Sequence, residues 1–169
     1  WTFVTEDTAL PTSLYQFVVD GLNAFPKATQ VALVLIGHGS GWGANVLPAQ
    51  PSFWKKQNDT LGGMLWDDHS GSSGGTRSLS TLALADALRS AQLESKRPID
   101  LLYLDGCSMG MTEIAYELAG TANYLLASPN TDWATFSYDQ LLPEVKSGVA
   151  ARTLGLRWLD REAALLRSQ

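Results

Sequence analysis

Six consecutive positions, Val31-Ala32-Leu33-Val34-Leu35-Ile36, carry no polar side chain. Strand side chains alternate between two faces, so a run without alternation has both faces covered. Leu101-Leu102-Tyr103-Leu104 and Tyr124-Leu125-Leu126-Ala127 repeat the pattern at strand length. Segments of helical period stand between and around them. Leu14, Phe17, Val18, Leu22 and Phe25 share a stripe over Ser13–Phe25, and Pro26 ends it. Leu82, Leu84, Ala85, Leu88 and Leu93 lie on or near one face of a helix that Ser80 is placed to cap. Further helices are expected over Thr112–Ala119, with Gly120 as a stop, over Tyr138–Val145 and over Thr153–Leu166. Between Gly37 and Gly75 the chain turns rich in Gly, Ser, Asp, Asn and Pro, and it reads as loops with one short strand over Gly62–Asp68. Doubly covered strands alternating with helices predict an α/β fold: a three-layer α/β/α sandwich around a mostly parallel sheet, with right-handed crossovers.

The chain has 169 residues, enough for one domain with a sizeable core, and a single domain spanning 1–169 is expected. Its net charge is -5 and it has no basic run, which argues against a nucleic-acid partner and mildly favours a cationic ligand. No apolar stretch approaches the roughly 18 residues of a membrane span. A single cysteine rules out an internal disulfide, and two isolated histidines, His38 and His69, argue against a catalytic metal. The sequence opens mid-pattern at Trp1-Thr2-Phe3-Val4 without Met, as expected of a fragment or a mature core, so a missing signal peptide says little about location. A monomer is expected.

Each of two buried strands runs directly into a short glycine-containing string: Gly37-His38-Gly39-Ser40-Gly41-Trp42 after the first, Asp105-Gly106-Cys107-Ser108-Met109 after the second. In open parallel sheets, ligands bind at the carboxyl ends of the strands. A lone Cys is most often a small buried hydrophobe, and a His among glycines is usually a loop residue. Both at equivalent strand ends of one sheet place a thiol beside an imidazole, the minimal outfit for nucleophilic attack on a carbonyl. Glycines flanking His38 let the chain turn sharply off its strand. The backbone N–H groups of Gly39 and Cys107 are placed to form an oxyanion hole. A helix close behind Cys107 would favour its thiolate.

The His-Gly-x-Gly-Trp string followed by Asp-x-Cys-x-Met resembles the clostripain family of cysteine peptidases, in the same broad group as caspases, legumains, gingipains and separase. Leu65-Trp66-Asp67-Asp68, the helix after it, Leu126-Ala127-Ser128 and Tyr138-Asp139-x-Leu141-Leu142 extend the likeness over about Leu14 to Leu142. The resemblance implies a caspase-like fold and an endopeptidase cutting after Arg, less firmly Lys, in a peptide or protein substrate. It makes Cys107 the nucleophile and His38 the general acid/base. It places Asp105 in the pocket for the basic side chain, where a partly desolvated carboxylate forms a charge-assisted pair with that side chain. Asp132, as a second pocket carboxylate, and Trp133, as a pocket wall, are weaker assignments, because Pro129-Asn130-Thr131-Asp132-Trp133 departs from the family's usual acidic and Pro-Gly stretch. Family members commonly mature by self-cleavage, which makes Lys55 and Lys56 processing candidates, with Arg77 a third; solvated loop charges are the bland alternative. The chemistry needs no cofactor. Some relatives require calcium, for which Asp67 and Asp68 are candidate ligands, yet two carboxylates fall short of the six or more oxygens calcium takes. The resemblance also implies a secreted or periplasmic setting, and set against the family's usual pattern the sequence is expected to lack the strand and helix before Leu14 and most of the C-terminal portion. Asn58-Asp59-Thr60 is a glycosylation sequon only in a eukaryotic secretory setting.

Rival readings are a same-fold peptidase preferring Asn or Asp, which Asp105 opposes, and an inactive relative that binds basic peptides, which the intact His38, Gly39 and Cys107 oppose. An α/β-hydrolase lacks its Gly-x-Ser-x-Gly elbow here, and Gly39-x-Gly41-x-Gly43 misplaces the third glycine of a dinucleotide fingerprint.

Overall fold

The computed structural model describes residues 7–42, 63–70, 75–131 and 138–167, with the side chains of 68–70 and 75–77 left aside. Its centre is a parallel three-stranded sheet, β1 (Ala32–Ile36), β4 (Leu101–Asp105) and β5 (Tyr124–Ala127), in the order β1-β4-β5. β1 pairs with β4 from Ala32 opposite Leu101 to Ile36 opposite Asp105, and β4 pairs with β5 from Leu101 opposite Tyr124 to Leu104 opposite Ala127. β4 is buried at every position, as its unbroken apolar run requires of the middle strand.

Alternation along the strands divides the core between two faces. Leu33, Leu35, Leu102 and Leu104 join a cluster with α1 (Pro11–Ala24), α2 (Thr81–Ser95) and α3 (Thr112–Glu117). Leu101 and Tyr103 point the other way, toward α4 (Tyr138–Leu141) and α5 (Ala151–Arg167). The result is the expected three-layer sandwich. α1 starts with a proline in its first turn, where no N–H is needed, and buries Leu14, Val18, Val19 and Leu22 as one stripe. The Ser80 hydroxyl caps α2 by accepting the Ala83 N–H at 3.2 Å. Lys96 ends that helix in the left-handed region at φ 52°.

Two stretches differ from the sequence reading. The loop excursion contains an antiparallel hairpin, β2 (Met64–Ser70) with β3 (Gly75–Leu79), whose register is broken by irregularities. Its second strand, Gly-Thr-Arg-Ser-Leu, has one apolar residue and so carried no periodic signal. The helix expected over Tyr138–Val145 is one turn of α4 followed by a 3-10 turn over Leu142–Glu144, which contains Pro143.

Candidate active site

The β1–β4 ladder brings the two glycine strings side by side. Its last pair is Ile36 with Asp105, so His38 and Cys107 stand at matching positions just past the strand ends. The Gly37 N–H donates to the Asp105 carbonyl at 3.1 Å, carrying the pairing one residue further. Beyond that point the chains touch backbone to backbone. A Cβ on Gly106 would sit 2.6 Å from the Gly37 carbonyl oxygen and 3.3 Å from the Gly39 nitrogen. A Cβ on Gly39 would sit 2.5 Å from the Cys107 carbonyl oxygen. Both neighbours of His38 thus press on Gly106 and Cys107, and only glycine allows it.

The His38 turn is fixed from outside. Ser40 N–H donates to the Gly63 carbonyl and Gly63 N–H to the Gly41 carbonyl, each at 3.0 Å, and Gly39 bridges to Met64 at the start of the hairpin. These bonds are donated by residues other than Gly39, and His38 itself is exposed. The Trp42 indole N–H donates to the Glu117 carboxylate at 2.8 Å, and the other oxygen of that carboxylate accepts the Thr81 hydroxyl. Glu117 therefore ties the turn to the start of α2 and the end of α3.

The Cys107 turn is fixed against the loop after β5. Ser108 N–H donates to the Asn130 carbonyl at 2.9 Å and Gly110 N–H to the Ser128 carbonyl at 2.7 Å. Ser108 takes the left-handed region at φ 59°, a conformation that costs a non-glycine residue on the order of 1–2 kcal/mol and is found where a turn is over-determined by its surroundings. Cys107 is half-buried and in no disulfide. The helix expected behind it, α3, begins at Thr112 as the sequence placed it and ends at Glu117, two residues before the expected Ala119.

Asp105 is 8% exposed, on the α4–α5 face of the sheet. Its carboxylate accepts a hydrogen bond from the Tyr138 hydroxyl. Burial first, and then the Asp105 hydrogen bond and charge, push the Tyr138 phenol far above the ordinary tyrosine range. Sequence reasoning missed this partner and also Glu117, because neither lies near its contact in the chain. Asp132, Trp133, Lys55, Lys56 and the sequon fall outside the described residues. Asp67 accepts the Thr8 N–H at 3.0 Å and its hydroxyl at 3.3 Å, tying the start of the described chain to the hairpin. Among the described residues there is no group of three or more His, Cys, Asp or Glu that could hold a metal ion, and the Asp68 side chain falls outside those described. Among the same residues, no helix is long and apolar enough to cross a membrane.

A model of the clostripain family matches residues 7–165. A secreted C11 cysteine protease from Bacteroides thetaiotaomicron, solved with an irreversible peptide inhibitor, is 20% identical with a TM-score of 0.64, over 91% of this chain and 38% of that one. A second structure of a secreted C11 cysteine protease from that organism, called iotapain, is 15% identical with a TM-score of 0.56, over 86% of this chain and 38% of the other. These likenesses support the fold, and the chain spans well under half the length of either protein. No curated protein matches the chain.

Proposed function

The chain belongs to the clostripain family, and from that premise we propose that Cys107 and His38 work as the nucleophile and general acid/base of a cysteine endopeptidase cutting after basic residues. The observation that carries this reading is the backbone contact of the two glycine strings, Gly39 against Cys107 and Gly106 against Gly37. It sets His38 and Cys107 just past the carboxyl ends of adjacent strands, which supports the reading.

In the proposed reaction the Cys107 thiol passes its proton to His38 and its sulfur attacks the scissile carbonyl carbon. The oxyanion that forms is met by the N–H groups of Gly39 and Cys107. His38 delivers a proton to the leaving amine, the C–N bond breaks, and a thioester remains. Water then loses a proton to His38, attacks the thioester carbonyl and expels the Cys107 thiolate, which frees the carboxyl product. No step needs a metal or a cofactor. The Asp105 carboxylate, two residues before the nucleophile and largely desolvated, supplies the pocket for a guanidinium or ammonium. A secreted or periplasmic setting suits such an enzyme, as for the Bacteroides protein it resembles.

The test is hydrolysis of fluorogenic peptides ending in Arg, Lys, Asn or Asp by the full-length protein, with Cys107→Ala as control. Turnover after Arg or Lys that vanishes in the variant is the expected result. Turnover only after Asn or Asp would overturn the role of Asp105, and none from folded protein would favour a binding-only relative.

A further inference from the structure

Asp105 is a nearly buried carboxylate, and such a group keeps its charge only where donors meet it. One donor is the Tyr138 hydroxyl. Tyr138 is itself held in place. Its ring packs against the cluster of Leu101, Tyr103, Leu141 and Trp158. The Trp158 indole N–H donates to the Leu141 carbonyl at 2.9 Å, pinning the single turn of α4 to α5. The phenol also stays protonated through any working pH, because burial and the neighbouring carboxylate both oppose its ionisation.

We propose that Tyr138 is a specificity-determining residue, whose hydrogen bond fixes the plane of the Asp105 carboxylate and thereby favours arginine over lysine in the substrate. The inference rests on the reading of Asp105 as the pocket carboxylate. A guanidinium is a planar fork that gains most from two coplanar acceptors already aimed at it, whereas an ammonium is a point charge that meets a carboxylate from almost any direction. A carboxylate free to turn loses that freedom when it pairs with Arg and loses less when it pairs with Lys. Holding it in advance removes a cost that falls mainly on the arginine complex.

The experiment compares kcat/KM for matched peptides ending in Arg and in Lys, in the full-length protein and its Tyr138→Phe variant. Phe keeps the packed ring and deletes only the donor. The expected result is a fall of about tenfold in the Arg/Lys ratio, on the scale of one hydrogen bond to a charged group. The ratio does not depend on the folded fraction, so a partly unfolded variant still tests the proposal. Equal losses on both substrates would assign Tyr138 a structural role and overturn the proposal. So would an unchanged ratio in a fully active variant. Wild-type protein that cuts after neither residue would instead overturn the basic-pocket reading, and the proposal with it.

Discussion

A methyl group at position 39 has nowhere to go: it would lie 2.5 Å from the Cys107 carbonyl oxygen and 2.9 Å from the Met109 side chain, which is itself fully buried. Backbone cannot yield as a flexible side chain can, so Gly39→Ala must push the His38 and Cys107 turns apart. The expected outcome is a loss of at least about 100-fold in kcat, the scale of one misplaced oxyanion donor. Steady-state kinetics beside a thermal melt checks it, since the fold should survive. Removal of the pocket charge by Asp105→Asn should cost about 100-fold in kcat/KM after Arg, while its amide oxygen can still accept the Tyr138 hydroxyl, so stability should change little. That His38 and Cys107 stand just past two strand ends was readable from the sequence, because each follows a continuous apolar run, which fixes where a strand must end. The Tyr138–Asp105 bond was not, because it joins residues 33 apart through tertiary packing that no local pattern encodes.

At the scale of elements, β1, β4 and β5 were legible for the reason that buries them: strands covered on both faces cannot alternate. The hairpin's second strand was not, since its residues satisfy backbone pairing without an apolar face. Glu117 shows how elements away from the chemistry set the site. Its carboxylate joins the turn after β1, through Trp42, to the first residue of α2. Its backbone carbonyl accepts from Arg89. Glu117→Ala releases the Trp42 anchor and should lower kcat about tenfold with little change in KM, while Glu117→Gln, which keeps one acceptor, recovers part of the loss. A proportionate fall in both variants' folded fraction, with kcat per folded molecule intact, would show that the anchor serves stability alone. Glu144 joins the turn after α4 to α5 by accepting from Arg161 at 3.0 Å and Arg157 at 3.4 Å. The Arg161 hydrogen bond chiefly holds its carboxyl below the usual value. A depressed folded-state value stabilises above the unfolded carboxyl range, and that contribution is lost as pH falls through the folded value. Glu144→Gln should flatten a small part of the acid limb in melts recorded against pH.

The whole molecule separates stability from chemistry along the strand axis. At the amino ends of the strands, the half-buried Arg97 guanidinium donates to the carbonyls of Leu22, Phe25 and Ala28, closing the end of α1 and the chain leading into β1. At the carboxyl ends stand His38 and Cys107, where a parallel sheet offers its binding edge. Arg97→Met keeps the stem and deletes the fork. It should cost about 2–3 kcal/mol of stability, by the usual worth of hydrogen bonds to a charged group, and leave kcat unchanged. The three-layer arrangement itself was open to sequence reasoning, because helix period and buried strands together admit few architectures.

The proposed mechanism depends above all on Cys107 as the attacking atom in a pocket for a basic side chain. The direct measurement is intact-mass and peptide mapping of the full-length protein after treatment with an arginyl acyloxymethylketone, alongside its aspartyl counterpart and the His38→Ala and Cys107→Ala variants. One adduct from the arginyl reagent, on Cys107, lost in Cys107→Ala and strongly slowed in His38→Ala, is the predicted result. An adduct on another residue, equal labelling by the aspartyl reagent, or labelling indifferent to His38 would contradict it.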